Sequence, residues 1–223
     1  MNNKDSIILL SGGLDSLVTL AFAHLSDEFN PKLALTFNYG QKSADKEIEA
    51  SKKIADFYGI KHEIITLDWL KNITKTGLVS DLSVPTSNLM TKESASQVWV
   101  PNRNALFLNI AASFADANDY RFILYGANKD EGENFLDNTE LFRSKITELF
   151  AASTLVKPKV IAPLINYSKD DIVKIAIRDS MPLDLIWSCY LTGERHCGKC
   201  ESCTHLQKAL IANSKYDYIR KLF

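Results

Sequence analysis

The sequence predicts a Rossmann-like α/β fold, in which helices cover both faces of a parallel sheet. Short apolar runs that fit buried strands alternate with helical patterns over most of the chain, and the first run leads into a glycine-rich turn. A chain of 223 residues, 46% of them hydrophobic, can bury one sizeable core and a small appendage, but not two full α/β domains. Because the alternation stops after Pro182, we expect an α/β domain over residues 1–182 and a small C-terminal module over residues 183–223.

The first half of the chain contains three predicted strands. Residues 7–10 form the first, and a turn joins it to a helix whose apolar residues start near Leu17. Residues 33–38 form the second strand and residues 64–67 the third. Between these two strands, one stripe of a helix is formed by Ala44, Ile48, Ser51, Ala55 and Tyr58.

The pattern weakens over residues 71–97, where Ser, Thr, Lys and Asn prevail, so this stretch is either a mobile lid or an irregular surface excursion. Regular elements return after it: a helix over residues 105–115, a strand over 122–125, a helix over 141–152 and a strand over 160–164. Ser168 and Asp171 have the spacing of a capping box, which opens a helix over residues 172–178. The last predicted helix starts at Thr204, in the C-terminal module.

The turn from Ser11 to Ser16, hereafter the glycine loop, is the strongest candidate for a ligand site. It joins the carboxyl end of a strand to the N-terminus of a helix, where open parallel sheets hold their ligands. Gly12 and Gly13 let successive backbone N–H groups turn inward around an anion, and the two serines add hydroxyl donors. Asp15 would repel a phosphate unless a cation lay between them, so it indicates a site that works with Mg²⁺. Taken alone, the motif also fits a tight turn capped by a serine.

Polar residues also follow other predicted strands, at the same edge of the sheet. They are Tyr39 and Gln41 after the second strand, Gly126 and Asn128 after the fourth, and Lys169 shortly after the fifth. Arg103 and Asn104 precede the helix at residue 105; Arg103 could stabilise phosphate charge, and Asn104 could cap the helix or form a hydrogen bond. Each motif taken singly fits a turn or a cap. Their convergence on one edge indicates a ligand cleft.

All four cysteines of the chain lie within residues 189–203. The spacing of Cys189, Cys197, Cys200 and Cys203, C-x7-C-x2-C-x2-C, suits one tetrahedral metal site better than disulfides between distant segments. We expect one Zn²⁺ per chain, because nothing else in the sequence indicates redox chemistry, although iron–sulfur ligation uses the same residue type. Four thiolates leave no open position for a substrate, so the ion should be structural. His196 and His205 are then expected to be neighbours rather than ligands.

Composition and charge exclude some classes of function. Lys and Arg number 26 and Asp and Glu 27, so the chain as a whole lacks the positive field that drives binding to nucleic acids. The apolar run at residues 7–10 is too short for a signal-peptide core or a membrane span. We therefore expect a cytoplasmic protein that binds neither nucleic acid nor membrane, with a local basic patch left open by the overall charge.

The glycine loop, S-G-G-L-D-S, resembles the pyrophosphate loop (PP-loop) of the N-type ATP pyrophosphatases, and no Gly-Lys-Ser/Thr follows as in a Walker A motif. Together with F-N-Y-G-Q at residues 37–41, V-P-N-R-N at residues 100–104 and the cysteine spacing, it makes the sequence resemble the 7-cyano-7-deazaguanine synthase family over nearly its whole length. The resemblance implies an adenine nucleotide alpha hydrolase-like domain. It also implies ATP-dependent conversion of 7-carboxy-7-deazaguanine and ammonia to the nitrile, through adenylated intermediates, in queuosine or related deazapurine biosynthesis.

The resemblance further implies roles for individual residues. The catalytic residues would be Asp15, Ser16, Arg103 and Lys169, of which the last two stabilise charge on the pyrophosphate. The residues implied in ATP and Mg²⁺ binding are Leu10, Ser11, Gly12, Gly13, Leu14, Asp15, Ser16, Tyr39, Gln41, Asn104, Gly126 and Asn128. A homodimer is also implied, and Ile219, Leu222 and Phe223 could serve its interface.

The segment 126–138 departs from the family pattern. Many members carry a G-x-N-x-x-D-x-S-G-Y-P-D-C-R type sequence, and here only Gly126, Asn128, Phe135 and Asp137 are expected to keep their roles. If this segment recognises the deazaguanine base, the departure bears on the substrate more than on the ATP chemistry.

Two other functions remain open from the sequence. A PP-loop enzyme that thiolates tRNA would need a cysteine to carry sulfur and a basic surface for RNA. A non-enzymatic, zinc-stapled interaction module could keep the ATP fold without its chemistry. The chain has neither an N-terminal nucleophilic cysteine nor the length for a glutaminase domain, so free ammonia is the expected nitrogen source.

Overall fold

The computed structural model describes residues 3–86 and 91–223, and it confirms the predicted fold class. Within these ranges five parallel strands form one sheet in the order β3-β2-β1-β4-β5. The strands are β1 (Asp5–Leu9), β2 (Asn30–Asn38), β3 (Lys61–Thr66), β4 (Phe122–Leu124) and β5 (Lys159–Ile161). The strand order reverses at β1, which pairs with β2 on one side and β4 on the other. Open parallel sheets bind ligands outside the strand ends at such a point.

Helices connect the strands and cover the sheet. They are α1 (Leu14–Leu25), α2 (Ala44–Tyr58), α3 (Asp68–Ile73), α4 (Lys92–Ser96), α5 (Arg103–Asn118), α6 (Lys129–Gly132), α7 (Glu140–Ser153), α8 (Lys169–Arg178), α9 (Glu201–Ala212) and α10 (Tyr216–Leu222). Short 3₁₀ turns lie at Leu136–Asn138 and Leu183–Leu185. The predicted capping box is confirmed, since the Ser168 hydroxyl accepts from the Asp171 N–H and the Asp171 carboxylate accepts from the Ser168 N–H.

Alternating side chains of the strands divide the core into two layers. Ile8 faces the layer that contains α1, α2, α8 and α9, whereas its neighbour Ile7 faces the layer that contains α5 and α7. In β2 the same alternation places Ala34 on the first side and Leu33 and Leu35 on the second. Because both faces of the sheet are buried at its centre, β1 and β4 and the second half of β2 are apolar runs, which made them recognisable in the sequence. The edge strand β3 is partly exposed.

Some predicted boundaries are wrong. The helix after the glycine loop begins at Leu14 rather than near Leu17. The fifth strand ends at Ile161 instead of residue 164, because the chain then turns and Ile165 N–H donates to the carbonyl of Ala162. The helix predicted from Thr204 begins at Glu201, and a separate helix, α10, follows it.

The stretch predicted as either a lid or an excursion, residues 71–97, is largely irregular in its described part and is tied to the rest of the protein. The Lys42 N–H donates to the carbonyl of Leu78, and the Glu201 N–H donates to that of Pro85. The Ser94 hydroxyl donates to the buried Glu201 carboxylate at 2.7 Å. These bonds favour the irregular surface excursion over the mobile lid. Residues 87–90 lie outside the described ranges.

The C-terminal segment shares the core of the α/β domain. Leu206 and Leu210 of α9 belong to the same buried cluster as Leu14 of α1 and Ile172 of α8. The sequence pattern changes at the expected boundary near residue 183, but residues on both sides of it pack into one core.

The apolar residues near the C-terminus contribute to this core. Leu222 is only 6% exposed, and Ile219 and Phe223 are partly buried against the same cluster. Leu222 is thus covered within the chain, whereas Ile219 and Phe223 keep part of their surface, and a dimer interface at these residues stays a prediction. No helix in the described ranges is both long and apolar enough to cross a membrane.

Candidate functional site

A cleft of about 270 Å³ lies at the carboxyl ends of the central strands, the edge that the sequence predicted. Its walls come from the glycine loop, the end of β2, the start of α5, the segment after β4 and residues 187–190. Of the predicted site residues, those that line it are Leu10, Ser11, Gly13, Leu14, Asp15, Ser16, Tyr39, Arg103, Asn104, Gly126 and Lys169. The fold thus brings most of the predicted set together.

The glycine loop turns sharply between β1 and α1. Gly12 has a φ of +82°, and a Cβ at this residue would lie 2.7 Å from the Glu47 carbonyl oxygen, so a larger residue would be both strained and crowded. The Ser16 hydroxyl donates to the carbonyl of Gly13 at 3.0 Å, and the Ser11 hydroxyl lies 3.2 Å from that of Ser16. Gly13 gives α1 no side-chain cap. The first N–H groups of α1, at the positive end of its dipole, can therefore meet an anion in the cleft.

A close ion pair stands beside the glycine loop. Lys169 Nζ donates to Asp15 Oδ2 at 2.6 Å and lies 3.5 Å from Glu131 Oε1. Burial raises the pKa of Asp15, although Lys169 acts in the opposite direction. Burial also disfavours the charged form of Lys169, but the Asp15 and Glu131 carboxylates outweigh it and raise the pKa of the ammonium. The other oxygen of Asp15, Oδ1, is buried without a hydrogen-bond partner, so this carboxylate can still accept a cation or a donor.

The start of α5 places a second cation in the cleft. Arg103 Nη1 donates to the Tyr39 hydroxyl at 3.3 Å. Burial alone would lower the pKa of Arg103, but Tyr39 and Asp137 raise it, so the guanidinium stays charged. Asn104 does not cap the helix as proposed: the N-cap residue is Asn102, with a φ of +52° and no side-chain cap. The Asn104 backbone N–H instead favours the charged form of the Asp137 carboxylate, although burial raises the pKa of that group.

Three predicted ligand-binding residues lie behind the cleft wall. Gln41 is 4% exposed, and its amide donates to the Phe37 carbonyl and to Glu47 Oε2, which fixes the end of β2. Asn128 is fully buried and accepts from the Glu131 N–H at 3.0 Å, as the N-cap of α6. Gly12 packs against α2. These residues shape the walls instead of lining the cleft.

Other lining residues were missed by the sequence reasoning. They include Glu47, Tyr125, Glu131, Ser188 and Tyr190. Nothing in the sequence separates Glu47 from the exposed Glu49 two positions on. Ser188 and Tyr190 flank Cys189, and this adjacency to a predicted metal ligand was the available signal.

The lining of the cleft contains both polar and aromatic groups. The glycine loop with its Asp15, together with Lys169, is hereafter called the polar end, and Phe37 and Phe107 stack with ring centroids 4.0 Å apart. An aromatic wall suits a flat heterocycle, and the polar loop suits an anion. The arrangement can therefore hold a molecule that carries both.

The four cysteines converge at the start of α9. Their Sγ atoms all lie within 4.8 Å of one another, with 3.9 Å between Cys189 and Cys200 and 3.8 Å between Cys197 and Cys203. An ion that binds four sulfurs at about 2.3 Å in a tetrahedron sets them about 3.8 Å apart. The Cys200 N–H also points to the Cys197 sulfur at 3.3 Å, a contact that favours a thiolate. The cysteine set therefore fits one tetrahedral metal ion.

The thiols do not ionise independently. Hydrogen bonds from Cys200 and Cys203 lower the pKa of Cys189, whereas the bond to Cys189 raises the pKa of Cys203. A metal cation would favour the ionised form of all four. Within the described ranges this group contains no histidine; His196 instead accepts a hydrogen bond from the Ser188 N–H at 2.9 Å.

Comparisons of the sequence identify its relatives. The family model described as Queuosine biosynthesis protein QueC matches residues 5–214. A 7-cyano-7-deazaguanine synthase from Carboxydothermus hydrogenoformans is 46% identical over 212 residues, which cover 92% of this chain and 98% of the relative. One from Methanosarcina barkeri is 41% identical over 215 residues and covers 92% of each chain.

A comparison of structures supports the fold. The U34-tRNA thiolase NcsA from Methanococcus maripaludis, solved with its [4Fe-4S] cluster, superposes with a TM-score of 0.53 at 19% identity, over 99% of this chain and 71% of the thiolase. At this identity the likeness concerns the fold alone. Since the family match spans most of the chain and the sequence relatives exceed 40% identity, the chain belongs to the QueC family of queuosine biosynthesis enzymes, whose named relatives are 7-cyano-7-deazaguanine synthases.

Proposed function

We propose that the protein converts 7-carboxy-7-deazaguanine and ammonia to 7-cyano-7-deazaguanine (preQ0), with ATP as the activating substrate. The observation that carries the proposal is the pairing, in one cleft, of a helix N-terminus whose N-cap residue has no side chain with the Asp15–Lys169 ion pair and the Arg103 guanidinium. Family membership supplies the substrate class. The aromatic wall beside this charged end would suit the flat ring of the deazaguanine or of adenine.

The chemistry explains the need for activation. A carboxylate is a poor electrophile, so its oxygen must first become part of a leaving group. The carboxylate oxygen attacks the α-phosphorus of ATP, the bond to the β-phosphate breaks, and pyrophosphate leaves an acyl adenylate. Ammonia then attacks the carbonyl carbon and AMP departs, which gives the amide. The amide oxygen then attacks the α-phosphorus of a second ATP and pyrophosphate leaves, after which loss of AMP and of the two N–H protons yields the nitrile.

The residues at the polar end would divide this work. The α1 N–H groups and the hydroxyls of Ser11 and Ser16 would hold the phosphates. Lys169 and Arg103 would stabilise the negative charge that grows on the departing pyrophosphate. Asp15 would orient Lys169 and offer its unpartnered Oδ1 to Mg²⁺, which supplies further charge neutralisation when bound.

The segment 126–138 would contribute to recognition of the substrate. Gly126 stands against the glycine loop, where a Cβ would lie 3.0 Å from the Asp15 carbonyl carbon. Phe135 lines the cleft and stacks on Trp99 with centroids 6.1 Å apart, and Asp137 lies behind it with Arg103 as its charged neighbour. Glu131 of the same segment reaches the polar end. We propose that these side chains position the deazaguanine carboxylate towards the phosphates.

We propose a single structural Zn²⁺ at Cys189, Cys197, Cys200 and Cys203. The sulfur spacing supports one ion, since the thiolates of an iron–sulfur cluster bind different irons and lie further apart than those around a single ion. The metal would fix the C-terminal segment and leave no coordination site for substrate. Elemental analysis of the purified protein, with one zinc and no iron or acid-labile sulfide per chain expected, tests this assignment.

The function is tested by incubating the purified protein with ATP, Mg²⁺, ammonia and 7-carboxy-7-deazaguanine. Mass spectrometry should find the nitrile, with two AMP and two pyrophosphate released for each molecule formed. Absence of the nitrile under conditions in which an authentic family member makes it would contradict the proposal.

The tRNA-thiolating alternative is disfavoured by the cysteines. The chain has four, and all four lie in the one cluster, so none is left to carry a persulfide. The non-enzymatic alternative does not explain the partly buried ion pair in the cleft. Incubation with a tRNA pool and a sulfur donor tests the thiolating alternative, under which thiolated tRNA would be the product and no nitrile would form.

We further propose that the protein works in the cytoplasm as a homodimer. Four free thiols in one cluster suit a reducing compartment. The family resemblance supports the dimer, which sedimentation analysis of the metal-loaded protein would detect as a species of twice 25.0 kDa.

A further inference from the structure

Ser188 stands opposite the glycine loop, although it belongs to the segment that carries the first cysteine. Its hydroxyl accepts a hydrogen bond from the Leu14 backbone N–H at 3.4 Å. It also lies 3.7 Å from the point where a Cβ on Gly13 would stand, and the Ser11 hydroxyl lies 3.6 Å from the same point. Both serines line the cleft. Two hydroxyls thus flank Gly13, one from each of two distant parts of the chain.

The hydrogen bonds at this place are weak ones. The distances from Leu14 N to Ser188 Oγ and from Gly13 N to Ser11 Oγ are both 3.4 Å, longer than the ~2.9–3.0 Å typical of such bonds. A phosphate oxygen at the start of α1 would be a stronger, charged acceptor for these N–H groups. A serine hydroxyl can both accept and donate, so each hydroxyl could turn and donate to the same anion.

The backbone of Ser188 forms short hydrogen bonds, whereas its hydroxyl forms only the long one to Leu14. Its N–H donates to His196 Nε2 at 2.9 Å, and its carbonyl accepts from the Ser202 hydroxyl at 2.6 Å. The preceding N–H, that of Trp187, donates to the carbonyl of Gly12 at 2.8 Å. The next residue is Cys189. Residues 187–189 therefore join the glycine loop directly to the four-cysteine centre.

We propose that Ser188 is a phosphate-binding residue supplied by the metal-binding segment. This inference rests on the proposed function, since it assumes that the phosphates of ATP occupy the polar end of the cleft. The Ser188 hydroxyl donates to a phosphate oxygen beside Gly13, where the Ser11 hydroxyl is also within reach and the absence of a side chain on Gly13 leaves space. The cysteine centre then positions one wall of the nucleotide site and does more than stabilise the C-terminal segment.

The test compares the binding of a phosphate-bearing nucleotide with that of its nucleoside. Isothermal titration with Mg²⁺ and α,β-methylene-ATP, and separately with adenosine, is carried out on the metal-loaded wild type, Ser188→Ala and Ser188→Thr. Ser113→Ala is the matched control, because it removes the same hydroxyl from an exposed face of α5. Metal content is measured on every sample.

The expected result is a loss of at least about tenfold in affinity for the nucleotide in Ser188→Ala, the value of one hydrogen bond to a charged acceptor. Adenosine binding should stay within about twofold, Ser188→Thr should recover most of the loss, and Ser113→Ala should match the wild type. Equal nucleotide affinity in Ser188→Ala and wild type would overturn the inference. So would an equal loss for nucleotide and adenosine, which marks a general distortion of the cleft.

Failure of the proposed function gives a different result, because the wild type itself would then bind no nucleotide. If Ser188→Ala does not retain its metal, the structure of the wild-type complex with the analogue decides. A phosphate oxygen within about 3.2 Å of Ser188 Oγ supports the inference, and a longer separation overturns it.

Discussion

The cleft and the four-cysteine centre are built in opposite ways. The centre takes four identical ligand types from a stretch of fifteen residues, 189–203, and brings their sulfurs within 4.8 Å of one another. The cleft collects unlike groups from β1, α5, α8 and the segment after β4, which meet only because the parallel sheet aligns the strand ends. The comparison separates a site defined by local spacing from one defined by topology.

The two regions also differ in how their polar groups are satisfied. Within the described part of the centre, the thiols contact one another and backbone N–H groups. The cleft keeps Asp15 Oδ1 and the Tyr125 hydroxyl buried without partners, and it holds charges that burial disfavours. A closed metal centre suits stability, and incompletely satisfied groups suit a ligand site.

The largest expected effect comes from the cleft. Asp15→Asn removes the carboxylate that pairs with Lys169 at 2.6 Å, so substrate-dependent pyrophosphate release should fall by roughly thousandfold or more. Metal content should stay at one ion per chain, as in the control Asp45→Asn, which changes an exposed aspartate. Unchanged turnover in Asp15→Asn would remove the glycine loop from the mechanism.

The next effect is on the centre. Cys200→Ser removes one of the four ligands, so metal should be lost and the free energy of unfolding should fall by more than about 3 kcal/mol. His205→Ala should retain the metal, because His205 lies outside the cluster. Urea denaturation with metal analysis measures both, and retention of a full complement of metal in Cys200→Ser would contradict the ligand assignment.

A pair of glycine variants compares the packing of the loop with an open site. Gly12 and Gly59 both have positive φ, +82° and +66°, so alanine is strained at either. A Cβ at Gly12 would lie 2.7 Å from the Glu47 carbonyl oxygen, whereas nothing lies within 4 Å at Gly59. Gly59→Ala should cost about 1 kcal/mol and Gly12→Ala at least about 1 kcal/mol more. Equal losses in thermal or urea denaturation would show that the contact with α2 can relax.

The smallest effect concerns pH. Burial raises the pKa of Glu47, against the hydrogen bonds from Ser43 and Gln41, so the folded state holds its proton more tightly than the unfolded state. The stability from this group is fully present below the ordinary glutamate pKa of about 4.3 and is lost as the pH rises through the raised value. The difference in unfolding free energy between Glu47→Gln and wild type should therefore shift in favour of the variant as the pH increases. A difference that does not change with pH would place the Glu47 pKa at its ordinary value.

The sequence predicted all four residues of the cysteine centre but only some of the residues that line the cleft. The cysteine spacing is local, and so is the turn that follows a buried strand, which is why the ligand set and the glycine loop could be predicted. The apolar runs identified the strands because both faces of the sheet are covered. The end of β5 was placed too far along, since the turn after Ile161 contains the apolar residues Ala162, Leu164 and Ile165.

The rest of the cleft depends on contacts between distant residues. Gln41 and Asn128 have side chains suited to ligands, yet they bond to their own loops behind the wall. Glu47 and Ser188 reach the cleft through the packing of α2 and of the cysteine segment. Lys169 was predicted only to stabilise charge on the pyrophosphate. In the structure it also pairs with Asp15 and Glu131, which are far from it in the sequence.

The most direct test of the central claim follows the oxygen atoms of the acid. If both ATP molecules activate an oxygen by forming a bond to the α-phosphorus, then substrate labelled with ¹⁸O in both carboxylate positions should give two molecules of AMP, each with one ¹⁸O. Mass spectrometry of the AMP and pyrophosphate from a single incubation reads this directly. Label in the AMP and none in the pyrophosphate is the predicted result; unlabelled AMP, or ADP with labelled phosphate, would contradict the account.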